Sequence, residues 1–248
     1  MILSSEPKAE LSQLPNADGS ATFSHLGFTV TAAVNGPVEA PRRDENAFEA
    51  LVDVVVRPAA GVGGTGERQL ESILQSALRQ LIPIRDFPRC MIQITLQVME
   101  TPKNAYVNPK LLQSQLNLPI IPALLHAAVL ALLTAAVPLK AIATATMLAI
   151  GDKGSIMVDP AMEEADKAQS VHVLAFTSAD ELLLVESSGS FSVEEWNKIL
   201  QAGQRACCQA SDAGGDMVMS GSGAESPSVR AFIRSVMEAK ASTDLHWK

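Results

Sequence analysis

Two side chains that can exchange protons or bind a metal ion stand six residues apart in the chain, Asp166 and His172. A carboxylate and an imidazole are common metal ligands and common general acid–base groups. The pair follows an acidic stretch, Asp159-Pro160-Ala161-Met162-Glu163-Glu164. The alternative interpretation is a solvated loop of charged residues that leads into a strand.

A second group of candidates consists of arginines. Arg42 and Arg43 are adjacent on a predicted loop, and Arg68 stands at the start of a predicted helix. Arginine suits phosphate binding because its guanidinium stays charged and its donor fork matches phosphate oxygens. Asp44 and Glu45 follow directly and would cancel much of the positive potential. A role for Arg68 on the helix surface is the competing interpretation.

Other polar residues are expected to have structural roles and not catalytic or ligand-binding ones. Arg89, after Pro88, is expected to form a structural ion pair, and His126 is expected to be a core histidine with one hydrogen bond. The histidines and the three cysteines do not have the spacing of a metal site. The sequence therefore predicts no metal and no cofactor.

The apolar patterning predicts a mixed α/β domain. Apolar residues make up 47% of the 248 residues and charged residues 19%, which suits a substantial core. The net charge of −8 argues against a generally basic nucleic-acid binder, so any nucleic-acid contact must come from a local patch. The predicted strands are Ala21–His25, Phe28–Val34 (ended by Gly36-Pro37), Phe48–Arg57, Met91–Met99, Ala141–Ile150, Ser155–Val158, Val171–Thr177 and Leu182–Ser187, and the predicted helices are Glu67–Ile82, Ala123–Val137, Val193–Gln209 and Val229–Ala241.

One segment is long and apolar enough to raise the question of a membrane helix. Leu118–Leu139 carries no formal charge over 22 residues. Its prolines leave an uninterrupted run of only 15 residues, Ala123–Val137, which is shorter than the roughly 20 residues of a membrane span. A buried central helix is the preferred interpretation.

The stretch Ala17–Arg43 carries a family resemblance. Its motifs D-G-S-A-x-F, G-x-T-V, G-P-x-E and R-R resemble the start of the ribonuclease PH family. The form G-P-V-E-x-x-R-R is most similar to the ring subunits of the eukaryotic RNA exosome. Among these, the chain looks most like the subunit usually described as a non-catalytic partner of the ring. The resemblance implies an α/β (α+β) domain of the ribosomal protein S5 domain 2-like type, with mixed sheets packed on central helices. It spans residues 15–210, after a loose leader (1–14) and before a Gly/Ser-rich linker and C-terminal helix or tail (211–248).

The resemblance also locates a phosphate site that this chain lacks. Active relatives hold inorganic phosphate with a glycine-threonine-arginine cluster at the start of the central helix, where exposed N–H groups and the helix dipole attract an anion. The matching residues here are Pro119, Ile120, Ile121 and Pro122. Two prolines remove N–H donors and no cation replaces the arginine, so the phosphate site is predicted to be degenerate.

The acidic site of the family is predicted to be degenerate as well. Active relatives place two aspartates six residues apart, and alignment through Asp159 puts these positions on Ala165 and Val171. A shift by one residue gives Glu164 and Ser170, or Asp166 and His172. The last option leaves a degenerate metal site open.

The resemblance implies a non-catalytic structural subunit of a hexameric ring that supports 3′-to-5′ RNA processing and degradation. The implied partners are other RNase PH-like ring subunits, S1/KH cap subunits and a separate catalytic nuclease, with RNA bound weakly along the channel near Arg42 and Arg43. The implied locations are nucleus, nucleolus and cytoplasm, with no membrane association. The alternative is an active phosphate-dependent 3′-to-5′ exoribonuclease.

Overall fold

Two β-sheets enclose a buried helix in the computed structural model, which describes residues 7–102, 118–151, 154–208 and 228–246. Most of the predicted insertion 101–118 and of the Gly/Ser-rich segment 212–228 lies outside the described residues, as does part of the predicted turn 151–154. Every helix and strand predicted above is present, with ends shifted by a few residues. The mixed α/β fold is therefore confirmed.

The first sheet has five strands in the order β1-β2-β3-β5-β4. All neighbours are antiparallel except β4 and β5, which run parallel with helix α1 as their crossover. Its elements are β1 (Lys8–Leu11), β2 (Gly19–His25), β3 (Phe28–Glu39), β4 (Leu51–Arg57), α1 (Thr65–Leu81) and β5 (Cys90–Glu100), with a short 3-10 turn at Ile84–Asp86.

Two predictions about this sheet were wrong. The predicted leader 1–14 includes strand β1, whose Lys8–Leu11 pair with Ser24–Ala21 of β2. Gly36-Pro37 does not end the sheet, because β3 continues to Glu39 across a register shift between Asn35 and Val38. Such a bulge accommodates a proline, which has no N–H to donate to the ladder.

The second sheet has four antiparallel strands in the order β7-β6-β8-β9. All eight residues of β6 are buried, because helices cover both faces of that strand. The elements of this half are α2 (Ile121–Thr134), β6 (Ala143–Ile150), β7 (Ile156–Val158), α3 (Met162–Lys167), β8 (Ser170–Thr177), β9 (Leu182–Gly189), α4 (Val193–Cys208) and α5 (Val229–Asp244).

Helix α2 lies between the two sheets and packs against β2, β3 and β6. Its residues Ile121–Leu132 are all buried, which explains the absence of an amphipathic pattern in this segment. Among the described residues, no helix has the length and apolar character needed to cross a membrane.

The outer helices complete the layers. Helix α1 packs on β4 through its regular apolar stripe, and α4 packs on β6 and β8 from the side opposite α2. Helix α5 docks on the same domain: Ile233 is buried in the main core, and the Phe232 ring lies 6.4 Å from that of Phe23. The C-terminal helix is thus packed onto the domain.

Candidate functional site: a cleft at the start of the central helix and a basic loop

The start of helix α2 and the segment α3–β8 enclose a cleft of about 230 Å³. The two regions that the sequence singled out as degenerate sites therefore meet, since Pro119 lies opposite Ala165, Asp166 and Val171. The remaining lining residues are Leu118, Ala168, Gln169, Ser170, Ser188 and Gly189. The sequence did not predict the two lining residues from β9, Ser188 and Gly189. The feature that could have identified them is a glycine at the end of a serine-rich strand.

The start of α2 offers little to an anion. Pro119 and Pro122 have no N–H group, and the N–H of Ile121 already donates to the Leu118 carbonyl at 3.1 Å. Ile120 and Ile121 are buried, and the first turn carries no charged residue. A helix start binds anions through free N–H groups. The described residues at this helix start therefore provide an anion with no cation and with few N–H groups.

The acidic segment forms a short helix and not the solvated loop predicted as one alternative. The Glu164 side chain reaches back and accepts from the N–H of Ala161 at 3.0 Å, which satisfies a free donor of the first turn. Ala165 is buried, whereas Asp166 is exposed at the cleft. The two positions that the alignment through Asp159 identifies are Ala165 and Val171. Both have hydrocarbon side chains.

Asp159 closes the other end of this segment and has a structural role. Its Oδ1 atom accepts from the backbone N–H of Met147 at 3.1 Å. Burial raises the pKa of Asp159, and the nearby His25 together with this hydrogen bond partly opposes the increase. The carboxylate holds the turn after β7 against β6.

His172 does not line the cleft, so Asp166 and His172 do not form the two-residue site that the sequence left open. The β8 residues that line the cleft are Ser170 and Val171. The His172 side chain points away from that of Val171, since successive side chains of a strand point to opposite faces. The ring of His172 lies between Ser187 and Ser170, at 2.9 and 3.0 Å, and edge-on to Phe191. Burial lowers the pKa of His172. Within the described ranges, no group of three or more His, Cys, Asp and Glu side chains is arranged to hold a metal ion.

Arg42 and Arg43 lie exposed in a turn that the Asp44 N–H closes on the Pro41 carbonyl at 2.9 Å. Arg89 forms the expected ion pair, with Glu45 at 3.3 Å. Glu45 is therefore engaged by Arg89 and is less available to neutralise Arg42 and Arg43. Neither Arg42 nor Arg43 forms an ion pair with any residue that the structure describes.

Arg68 lies at the opposite end of the sheet. The Arg42–Arg43 turn adjoins the start of β5, where the N–H of Ala40 donates to the Arg89 carbonyl at 3.0 Å. Arg68 lines a separate cleft of about 430 Å³ beside Arg57, at the end of β4. Six residues of strand, about 20 Å at 3.3 Å per residue, separate the two ends. The three predicted RNA contacts therefore do not form one patch.

His126 is a core histidine, as predicted. Its ring is fully buried, and Nε2 accepts from the N–H of Ala145 at 2.9 Å. Burial, reinforced by the nearby His25, lowers the pKa of His126 to about 3. The ring is neutral and takes no part in the cleft.

The fold agrees with comparisons to known proteins. Residues 6–138 match the family described as RNase PH, 3′ exoribonuclease family, domain 1, and residues 140–206 match domain 2 of that family. The chain belongs to the RNase PH family of 3′ exoribonucleases.

Among individual relatives, the Exosome complex component RRP46 of Saccharomyces cerevisiae is 31% identical over 207 residues, which cover 81% of this chain and 89% of the relative. The Exosome complex component rrp46 of Schizosaccharomyces pombe is 27% identical over 76% of this chain and 78% of its own length. The crystal structure of rice (Oryza sativa) Rrp46 superposes with a TM-score of 0.68 over 79% of this chain and 86% of the rice chain, at 24% identity. An archaeal exosome core superposes with a TM-score of 0.63 at 13% identity, over 81% of this chain and 82% of the archaeal chain.

Proposed function

We propose that this chain is a non-catalytic ring subunit of an RNA exosome, which pairs with other RNase PH-like subunits around an RNA channel. The observation that carries the proposal is the cleft at the start of α2. Prolines and buried isoleucines stand at the positions matched to the family's anion site, and Ala165 and Val171 stand at the aligned acidic positions. The names of the fungal relatives support membership of an exosome.

Catalytic inactivity follows from the chemistry that phosphorolysis needs. Inorganic phosphate must be held in line with the terminal phosphodiester while cations and carboxylates stabilise the developing charge. Among the described residues that line the cleft, Asp166 carries a carboxylate, and none is an arginine or a lysine. The described lining therefore offers phosphate no cation to pair with.

An apolar surface beside β9 suits a contact with a neighbouring subunit. Strand β9 is an edge strand of the second sheet as described, and Val185, Phe191 and Val193 are exposed beside it. Together with Trp196 they line a depression of about 380 Å³, here called the β9 patch. A ring requires two unlike contact faces on each member, and apolar edges are suited to permanent interfaces.

Arg42 and Arg43 are proposed to contact the phosphates of RNA that passes through the channel. Sparse cations without base-reading groups suit a complex that must accept any sequence. Arg68 does not share this surface. The S1/KH cap subunits, a separate nuclease and the nuclear, nucleolar and cytoplasmic locations belong to the same proposal.

Purification of the full chain from its own cells, followed by native mass spectrometry, tests the proposal. We expect stoichiometric recovery with several different RNase PH-type subunits in one assembly. A homo-oligomer that releases nucleoside diphosphates from RNA would instead support the alternative, an active phosphorolytic exoribonuclease.

A further inference from the structure

Phe48 is exposed to an extent that packing does not explain. Its exposed fraction is 83%, against 40% for Phe191 and near zero for the core residues Phe23 and Phe28. Burial of a phenylalanine side chain is ordinarily favourable, so a fully displayed ring forgoes a substantial stabilisation. The position is distinctive because this chain has few aromatic residues, 4% in all.

The backbone around Phe48 is held by hydrogen bonds on both sides. Asn46 accepts from the Phe48 N–H at 3.1 Å through its side chain, and from the Arg89 N–H at 3.0 Å through its carbonyl. The Asn46 amide also donates to Glu49, whose carboxylate pairs with Arg79 at 2.9 Å. The N–H of Ala50 donates to the Ile84 carbonyl at 2.8 Å. The ring is therefore displayed on an anchored loop.

The same end of the sheet presents three arginines for which the structure describes no ion pair: Arg42, Arg43 and Arg85. Arg85 belongs to the 3-10 turn that is hydrogen-bonded to the Phe48 loop through Ile84. Asp44 and Asp86 offset much of their charge. Electrostatic attraction alone would therefore bind a polyanion weakly, and a second kind of contact is needed for appreciable affinity.

We propose that Phe48 is a stacking platform for a base of single-stranded RNA whose phosphates contact Arg42 and Arg43. The inference rests on the proposed function, because it specifies how RNA is held near the channel. Base–aromatic stacking tolerates any sequence, since every base has a π-face. An anchored aromatic ring next to cations is the arrangement by which proteins hold single strands without reading them.

Binding of a fluorescent oligouridine to the purified full chain, at low ionic strength, tests the inference. Phe48→Ala should weaken the affinity for oligouridine about five- to a hundredfold. Phe48→Trp should keep the wild-type affinity, whereas Phe48→Leu, which is apolar but has no aromatic face, should bind as weakly as Phe48→Ala. Val62→Ala, at the other end of the sheet and 94% exposed, is the matched control and should leave affinity unchanged. An oligomer of abasic ribose phosphates should bind the wild type and Phe48→Ala equally, because it offers nothing to stack.

The inference is overturned by equal oligouridine affinity of the wild type and Phe48→Ala, or by no binding by the wild type at all. Unchanged RNA affinity with a lower yield of the assembly would make Phe48 a protein contact and would also overturn it. Assembly, measured separately by native mass spectrometry, reports on the proposed function. If the ring forms and Phe48→Ala binds RNA normally, the stacking inference is refuted and the proposed function stands. If the wild type does not join a ring, the proposed function is refuted.

Discussion

The Nε2 atom of His126 accepts a hydrogen bond from the backbone N–H of Ala145 at 2.9 Å, and this contact ties the buried helix α2 to strand β6 of the second sheet. An acceptor nitrogen carries no proton, so the neutral ring carries its proton on Nδ1. Nδ1 has no hydrogen-bond partner among the described residues, although it is buried. The contact between the two halves of the fold therefore depends on a histidine that must stay uncharged.

Acid should weaken the fold through His126. Its pKa is lowered from 6.5 to about 3 in the folded state, so the unfolded chain binds the proton more readily. The contribution is fully present above about pH 6.5 and is lost as the pH falls towards about 3. His126→Gln, which retains an acceptor but does not titrate, should lose less unfolding free energy between about pH 7 and about pH 4.

Urea unfolding at several pH values measures this difference. His246→Gln is the matched control, because His246 is exposed near the end of the chain, and it should follow the wild type. Parallel pH profiles for the wild type and His126→Gln would contradict the assignment.

Because β2 packs closely on α2, a side chain at position 19 should lower the free energy of unfolding. A Cβ atom there would stand 2.3 Å from the Ala135 nitrogen and 2.4 Å from the Ala131 carbonyl oxygen, both of them backbone atoms. Gly19→Ala should cost roughly 1–3 kcal/mol of unfolding free energy in urea titrations. Gly63→Ala, whose nearest neighbours are at 3.8 Å, should change stability little or raise it by about 0.4–1 kcal/mol. Equal effects of the two substitutions would show that the helix and sheet are not in such close contact.

Assembly should depend on the β9 patch. Val193 is 77% exposed in the first turn of α4, where a carboxylate is compatible with the helix dipole, so Val193→Glu should leave the fold intact. Burial of the new charge in an interface should reduce association with neighbouring subunits at least about tenfold, as measured by recovery in the native complex. Val62→Glu should be recovered like the wild type. Normal recovery of Val193→Glu would place the ring contact elsewhere.

RNA affinity should depend on salt through Arg42 and Arg43 and not through Arg68. Removal of a phosphate contact lowers the slope of log affinity against log salt by about 1. Arg42→Ala combined with Arg43→Ala should therefore lower the slope by about 2 and weaken binding for all sequences alike. Arg68→Ala, about 20 Å away along the sheet, should change neither. A larger effect from Arg68 than from the pair would reverse the proposed RNA path.

The core elements could be predicted because local patterns determine them. Helix α1 follows from the 3.6-residue spacing of its apolar residues. The prolines at 119 and 122 show directly that the start of α2 has fewer N–H donors than an ordinary helix start. Strand β1 could not be predicted, because four residues carry too short a pattern and their pairing with β2 stabilises the strand. The extension of β3 past Pro37 depends on a bulge that the partner strand β5 accommodates.

Some residues of the cleft were singled out from the sequence, but its β9 residues and its arrangement were not. That Pro119 and Ala165 would line one cleft depends on how α2 packs between the sheets, which periodicity does not specify. The separation of Arg42 from Arg68 follows from the strand order and from the antiparallel course of α1 along β4. The opposite orientations of Val171 and His172, by contrast, follow from the alternation of a strand and could have been read from the sequence.

The most direct test of the account is an assay for phosphorolysis. The purified full chain is incubated with 3′-tailed RNA, inorganic phosphate and magnesium, and nucleoside diphosphates are measured. The account predicts no release above background, with no difference between the wild type and Asp166→Ala. Release of nucleoside diphosphates that requires phosphate and disappears in Asp166→Ala would contradict it.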